Sequence, residues 1–262
     1  MSETVVEIRE MLRAADAEEF AAIERSLAAD SRKGVRTALE AARKRLAAEA
    51  AERERLAGLY AFDRSFLPDD GKGLVVGLDE VGRGSVAGPL AVGAVVLEDG
   101  HAIAGLNDSK QLSAAEREIV AADVQAHAVA WAVQYVEPAD IDAHGMSVSL
   151  RKAFVGALGK IESKGIHPDV VLVDGNPLGI DAREHNVVKG DSKSASIAAA
   201  SIVAKVTRDE YMRSIDSTFP QYGFSDNKGY ASADHIEAIR AYGLSPVHRA
   251  SFCRSFMQET LF

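Results

Sequence analysis

Two short apolar runs, each ending in acid, do most to limit what this chain can fold into. Leu74-Val75-Val76-Gly77-Leu78 leads into Asp79-Glu80, and Val170-Val171-Leu172-Val173 leads into Asp174-Gly175. Runs of this length, rich in β-branched residues and bounded by Gly and Pro, read as buried strands. A carboxylate at the end of a buried strand is costly unless a cation or water meets it. The pair Asp79-Glu80 is the strongest such signal and Asp174 the second, with a solvated strand end as its bland reading.

The segment after Asp79-Glu80, Val81 to Pro89, holds three glycines and a proline, an unusual backbone path open to close approach of a ligand. It contains G-x-G-x-x-A, a formal match to the dinucleotide-binding fingerprint. That fingerprint needs a helix opening at the glycines, whereas Pro89 and the apolar run Leu90 to Leu97 specify another strand. Carboxylates at the strand end would also repel a pyrophosphate. A nucleotide-cofactor reading is therefore rejected.

A third acidic element, Lys189-Gly190-Asp191-Ser192-Lys193-Ser194, opens a helix of very small residues able to lie close against a sheet. Asp191 falls near its N-terminus, where the helix dipole favours an anion, and a plain N-cap is its bland reading. Carboxylates converging from strand ends suit hard, oxygen-preferring Mn²⁺ or Mg²⁺. Two such ions serve phosphodiester hydrolysis, one at the attacking water and one at the leaving oxygen. Histidine chemistry fares worse: there is no H-E-x-x-H, and His101, His127, His144, His167, His185 and His235 are scattered and expected mostly at the surface. No G-x-S-x-G elbow is present.

Around these elements the pattern is that of an α/β protein. Strands are expected over 74–78, 90–97, 129–136 and 170–173, with helices over about 113–127, 147–163, 194–216, 232–242 and 249–260. Strands cluster first and then alternate with helices, which points to a mixed sheet with helical cover. Residues 1–70 differ: they are rich in Ala, Glu and Arg, with apolar residues at helical spacing and a break at Ala29-Asp30-Ser31 that supplies N-cap residues for a third helix. A small all-helical N-terminal domain over 1–70 and a catalytic domain over 71–262 are expected, joined through Pro68 to Gly73.

The net charge of −9 argues against a nucleic-acid partner, and neither the part before residue 70 nor the part after it is basic. Any phosphate chemistry must rest on local groups, with bound cations offsetting the acids. The single Cys253 excludes an internal disulfide and a cysteine-based zinc site. No apolar run reaches the length of a membrane span, and the acidic N-terminus lacks a signal-peptide layout. A cytoplasmic monomer with no membrane contact is expected.

Taken together, GLDEVGRGSVAGP (77–89), NDSKQLS (107–113), VLVDG (171–175), KGDSKSASIAAASIVAKVTRD (189–209), YGFSDNKGYASADH (222–235) and HRASF (248–252) resemble ribonuclease HII. The match runs over essentially all of residues 74–252 and, through the GRG triplet, favours this family over ribonuclease HIII. It implies a ribonuclease H-like fold: a mixed five-stranded sheet flanked by helices, with a helical C-terminal portion. It implies cutting 5′ of ribonucleotides in RNA–DNA hybrids or duplex DNA, leaving 3′-hydroxyl and 5′-phosphate ends. The family's acidic cluster falls on Asp79, Glu80, Asp174 and Asp191, as catalytic residues and as metal ligands. Its glycine loop falls on Gly82-Arg83-Gly84, expected to read the ribose 2′-OH. Tyr230 matches the tyrosine that stacks on the sugar following the ribonucleotide. Lys110, Lys193 and Arg249 are expected phosphate contacts, with solvated lysines as the bland reading, while Lys205 and Arg208 are expected in structural ion pairs. Ser85 stands where the family often has Pro, and Asn227 where it often has His. The N-terminal segment resembles the helical extension of some bacterial members, an expected aid to substrate binding. Finally, Gln258 to Phe262 fits a Q-x-x-L-F pattern like peptides that dock on the sliding clamp, the alternative being that Leu261 and Phe262 finish a helix.

Overall fold

In a computed structural model, residues 3–68, 70–98 and 100–257 are described. They fall into two compact units, Met1–Ala57 and Gly58–Phe262. The first holds α1 (Val5–Ala14), α2 (Ala17–Ser26) and most of α3 (Lys33–Arg64). Reciprocal capping boxes start the first two helices, Thr4 with Glu7 and Asp16 with Glu19, each satisfying two otherwise orphaned backbone donors. Ile8, Leu12, Phe20, Val35 and Leu39 close a small core between them. Arg45 reaches the end of α1, donating to the Ala15 carbonyl at 2.6 Å. Asp30 does not cap α3 directly; its carboxylate accepts the Arg32 N–H at 2.9 Å, and the helix starts at Lys33.

The second unit is built on β1 (Val75–Val81), β2 (Leu90–Val96), β3 (Ala130–Val136), β4 (Val170–Asp174) and β5 (Glu184–Val187). Their order across the sheet is β3-β2-β1-β4-β5. β1 runs antiparallel to β2 and parallel to β4, so the sheet is mixed, as expected. The helices are α4 (Ala114–His127), α5 (Pro138–His144), α6 (Met146–Glu162), α7 (Ala195–Asp216), α8 (Phe224–Asn227), α9 (Ala233–Tyr242) and α10 (Ala250–Met257). β5 escapes sequence reading because Glu184, His185 and Asn186 form no apolar run; paired only with β4, it is an edge strand.

Successive strand residues face opposite sides of a sheet, and here each side has its own helix. Val76, Leu78, Val92, Ala94, Val171 and Val173 join Phe154, Ala157 and Ile161 of α6 in the main core. On the other side α7 lies almost on the strands. A Cβ on Gly77 would stand 2.1 Å from the Ser196 carbonyl carbon, and one on Gly93 would stand 2.3 Å from the Ala200 oxygen. The small-residue run of α7 and these two strand glycines are therefore one packing solution.

The division after Ala57 falls earlier than the boundary expected near residue 70. The reason is physical: Phe62, Phe66 and Leu67 pack with Val170, Leu172, Val187 and Ile197. The buried Asp63 carboxylate also accepts the Ser196 N–H at 2.8 Å, at the start of α7. Among the described residues, no helix is long and apolar enough to cross a membrane.

Candidate active site

Strand parity explains how two distant acids meet. Leu78 pairs with Val173 across the parallel β1–β4 ladder, so Asp79 and Asp174 follow side by side at the same end of the sheet. Asp79 shares its face with Gly77, and Asp174 shares its face with Val170 and Leu172; both faces look toward α7. There the Ser201 hydroxyl, one helical turn beyond the Gly77 contact, hydrogen-bonds Asp79. Glu80 emerges on the opposite side and meets Arg83 Nη1 at 3.3 Å.

An open cleft of about 450 Å³ is lined by Asp79, Glu80, Asp174, the Gly82-Arg83-Gly84 loop, Lys110 and Tyr230, among others. Asp191 sits in a 3-10 turn, Gly190–Ser192, just ahead of α7. It is tied to the cleft through Lys110, whose Nζ lies 3.1 Å from Asp191 Oδ2. The N-cap role that was its bland reading belongs instead to Ser194, which accepts the Ile197 N–H at 3.1 Å. Gly190 brings its N–H to 2.6 Å from Asp174 Oδ1, and a Cβ there would press on Ile197 at 2.6 Å.

The electrostatics are those of crowded acids that Arg83 and Lys110 offset only in part. Burial pushes the Asp79 carboxyl up to about 8, opposed by the Ser201 hydrogen bond and reinforced by Asp174 and Glu80. Burial also raises Glu80, with Arg83 pulling it back and Asp174 adding to the rise. Asp174 rises through burial against the Gly190 N–H, with Asp191 pushing further up. Lys110 loses by burial but gains more from Asp191, Asp108 and Asp79, and ends raised. Mutual influence of this kind places the four acids in one field. The donor set is all oxygen, the set that hard divalent cations take, and a bound cation would ionise Asp79 in place. The residues fit Mg²⁺ or Mn²⁺.

The remaining site expectations divide. Gly82 has a left-handed backbone (φ +78°), and a Cβ there would strike Arg208 Nε at 2.2 Å; at Gly84 a Cβ would meet nothing, leaving room on the cleft side. Tyr230 is 39% exposed and stands with the guanidinium of Arg208 5.7 Å from its ring centre. Lys193 is exposed, donates to the Val188 carbonyl at 2.8 Å, and is not among the cleft residues.

Arg249 is a correction. It is fully buried, and its guanidinium donates to the Gly88 carbonyl at 3.0 and 2.8 Å and to the Arg83 carbonyl at 3.2 Å. It braces the glycine loop from beneath and presents no surface to a phosphate. Lys205 pairs with Asp209 at 2.8 Å as expected. Arg208 instead clamps backbone: it donates to the carbonyls of Pro89, Lys228 and Ala87 and to Ser85 Oγ at 2.8 Å. Ser85 thus has a use here, accepting from Arg208 and donating to the Gly82 carbonyl at 2.9 Å. Asn227 accepts the Gly229 N–H at 2.7 Å and donates to the Tyr222 carbonyl at 2.6 Å, fixing the turn before Tyr230.

As expected, most of the histidines lie at the surface, His127, His144, His167 and His185 being exposed, but they are not all scattered. His235 and His248 form a buried pair. His101 and His127 stack at 4.1 Å beside Asp123. These last three offer ligand atoms within 4.8 Å of one another, the one such group found among the described residues. Their rings lie only 22° from parallel, so a shared ion would require one ring to turn. The carboxylates around the cleft are less tightly gathered than this. Sequence reading also missed Ser109 and Arg117 as cleft residues. Ser109 lies in the NDSKQLS segment and meets Ser201 Oγ at 3.0 Å, while Arg117 holds the Ser109 and Leu112 carbonyls at 2.7 and 2.6 Å.

Comparison with known proteins identifies the family and the fold. A family profile described as Ribonuclease HII matches residues 76–255, and one described as Ribonuclease HII N-terminal domain matches residues 4–67. The chain is 37% identical over 252 residues to a ribonuclease HII of Listeria monocytogenes serotype 4a (strain HCC23), covering 96% of this chain and 95% of that one. The ribonuclease H2 of Pyrococcus horikoshii OT3 superposes with a TM-score of 0.58 at 30% identity, over 70% of this chain and 96% of its own. The PCNA:RNase HII complex of Archaeoglobus fulgidus gives 0.61 at 26% identity, over 71% and 98%.

Proposed function

The chain belongs to the ribonuclease HII family, and we propose that it hydrolyses the phosphodiester bond 5′ of a ribonucleotide, in RNA–DNA hybrids or embedded in duplex DNA. The products are 3′-hydroxyl and 5′-phosphate ends. The observation that carries this reading is the convergence on one cleft of Asp79, Glu80, Asp174, the Gly82–Gly84 loop and Tyr230.

Asp79, Glu80, Asp174 and Asp191 are the residues to hold Mg²⁺ or Mn²⁺, which when bound supply Lewis acidity for the attacking water and the departing oxygen. The chain's own groups do the rest. Arg208 and Arg249 hold the carbonyls of the glycine loop and its exit, which leaves the loop's cleft side for the 2′-OH, the group separating RNA from DNA. Tyr230 offers a ring for the neighbouring sugar. Lys110, drawn toward Asp191, is placed to pass to a phosphate once cations neutralise the acids. No histidine is among the cleft residues, so the 2′-OH is read and is not the nucleophile. The helical N-terminal part aids substrate binding.

A duplex carrying one ribonucleotide, offered with Mg²⁺ or Mn²⁺, should be cut once, 5′ of that ribonucleotide. Cleavage that survives both Asp79→Asn and Asp174→Asn overturns the reading.

We also propose that Gln258 to Phe262, which lie outside the described residues, dock on a sliding clamp. The motif supports this, as does the archaeal neighbour solved with PCNA. Deleting residues 258–262 should abolish clamp affinity, and unchanged binding ends the idea.

A further inference from the structure

Behind the cleft, a chain of hydrogen bonds closed off from solvent ends on the backbone of Tyr230. His235 is 0% exposed and His248 5%, and they face each other Nε2 to Nε2 at 3.0 Å. His235 Nδ1 lies 2.8 Å from the Tyr230 carbonyl oxygen. His248 Nδ1 lies 3.0 Å from the Ser245 N–H and 2.7 Å from its hydroxyl.

Counting protons leaves one arrangement for two neutral rings. The Tyr230 carbonyl only accepts, so His235 Nδ1 carries a proton. The Ser245 backbone N–H only donates, so His248 Nδ1 is bare. The His248 proton is then on Nε2, donated to the bare Nε2 of His235. Charging His235 would set two N–H groups against each other at 3.0 Å, and charging His248 would do the same against Ser245. Tyr222 and Phe224 pack on the rings, with Tyr222 4.7 Å from His248 and Phe224 5.4 Å from His235. In this dry setting burial lowers both imidazoles, His248 to about 4 with His235 adding to the fall.

The far end of the chain is tied to the cleft. The Tyr230 carbonyl also accepts the Ser232 N–H at 2.9 Å, so both its lone pairs are used. The adjacent Gly229 carbonyl accepts from Val86 and Ala87 at 2.8 and 3.1 Å, and the Arg249 N–H donates to the Val86 carbonyl at 2.8 Å. The turn bearing Tyr230, the exit of the glycine loop and the segment bearing His248 therefore share one frame.

We infer that His235 and His248 are positioning residues, which hold the Tyr230 carbonyl from below and so set how the Tyr230 ring meets the sugar in the cleft. The inference rests on reading Tyr230 as a substrate contact. It gives the two buried histidines a task in ribonucleotide recognition without contact with substrate or metal.

The test is a double-mutant cycle on the full chain, with a DNA duplex containing one ribonucleotide and Mg²⁺ as probe. His235→Leu should lower kcat/KM by about tenfold to a hundredfold, the scale of a small misplacement of a substrate-contacting group. In a Tyr230→Ala background the same change should cost nothing further, because both act through one ring. His235→Asn, whose amide nitrogen stands in for Nδ1–H, should restore most of the loss. Imidazole ¹⁵N spectra at pH 7 should show one buried Nδ1–H ring and one buried Nε2–H ring, both neutral. If Tyr230→Ala slows cleavage and His235→Leu adds to it in full, the positioning role is overturned and the proposed function stands. If Tyr230→Ala leaves kcat/KM unchanged, the reading of Tyr230 falls and this inference with it. Should His235→Leu fail to fold, His235→Asn and the spectra decide: a charged ring, or two rings of one tautomer, overturns the arrangement.

Discussion

The cleft and the frame beneath its glycine loop are both built from charged and polar side chains at least partly buried, yet their electrostatics differ. Asp79, Glu80 and Asp174 crowd like charges together, and burial raises all three carboxyls. Arg208, Arg249, His235 and His248 each find partners at hydrogen-bond distance. Satisfied buried polar groups rigidify a fold. Buried acids left in mutual repulsion mark a place kept for something else. Arg208, Arg249, His235 and His248 thus read as scaffold, and the three acids as the groups proposed to meet a cation.

The largest effect should come from the crowded side. Asp79→Asn and Asp174→Asn should each lower cleavage of a ribonucleotide-containing duplex by about a thousandfold or more, the scale of losing one member of a cooperating set. Their melting temperatures without divalent ions should stay level or rise, because a repelled, desolvated acid has been removed. A variant that loses activity and stability together would place these acids in the scaffold after all.

The scaffold side should behave in reverse. Arg249→Met leaves the Gly88 and Arg83 carbonyls without their donor, a loss of about 3 kcal/mol for a broken buried network. For a chain of this size that is a fall of about 6–12 °C in Tm by thermal melting. Activity should fall with it, and added substrate phosphates should not rescue stability.

How much of this was legible in the sequence follows the same line. Asp79, Glu80 and Asp174 could be found because acid at the end of an apolar strand is a local anomaly. Four of the five strands and the helices over 113–127, 147–163 and 194–216 were legible from apolar periodicity. β5 was not, since an edge strand of Glu, His and Asn carries no such pattern. Arg249 was misread as a phosphate contact because an arginine beside a catalytic-looking segment looks the same whether it points out or in. Only the path of the Gly82–Gly88 loop, which turns its carbonyls inward, decides. The His235–His248 pair spans thirteen residues and is brought together by α9 and the loop after it, so nothing local announces it. Which partners Asn227 and Ser85 take is not legible in the sequence; it rests on their hydrogen bonds to Gly229, Tyr222, Gly82 and Arg208.

A smaller effect should show in the pH dependence of stability. An acid raised in the folded state binds protons that the unfolded chain has released, so folding loses stability as pH climbs between the two values. For Asp79 that window runs from the ordinary 3.8 to about 8. Without divalent ions, melting temperature should fall by a few degrees from pH 5 to pH 8. Asp79→Asn should flatten the slope, and so should added Mg²⁺ by stabilising the ionised acid. A slope unchanged in Asp79→Asn would show that the buried Asp79 carboxyl is not its source.

The smallest effect separates two lysines that the sequence could not rank. Lys110 lines the cleft and leans on Asp191, whereas Lys193 is exposed and spends its ammonium on the Val188 carbonyl. A side chain that neutralises a phosphate contributes about 0.9 to the slope of log affinity against log salt on duplex DNA. Duplex binding can be measured in an Asp79→Asn background that does not cut. There Lys110→Ala should make that slope shallower by about this amount, and Lys193→Ala should leave it in place, with affinity changed less than about threefold. A full unit lost with Lys193 would bring that residue to the substrate and extend the binding surface past the cleft toward the start of α7.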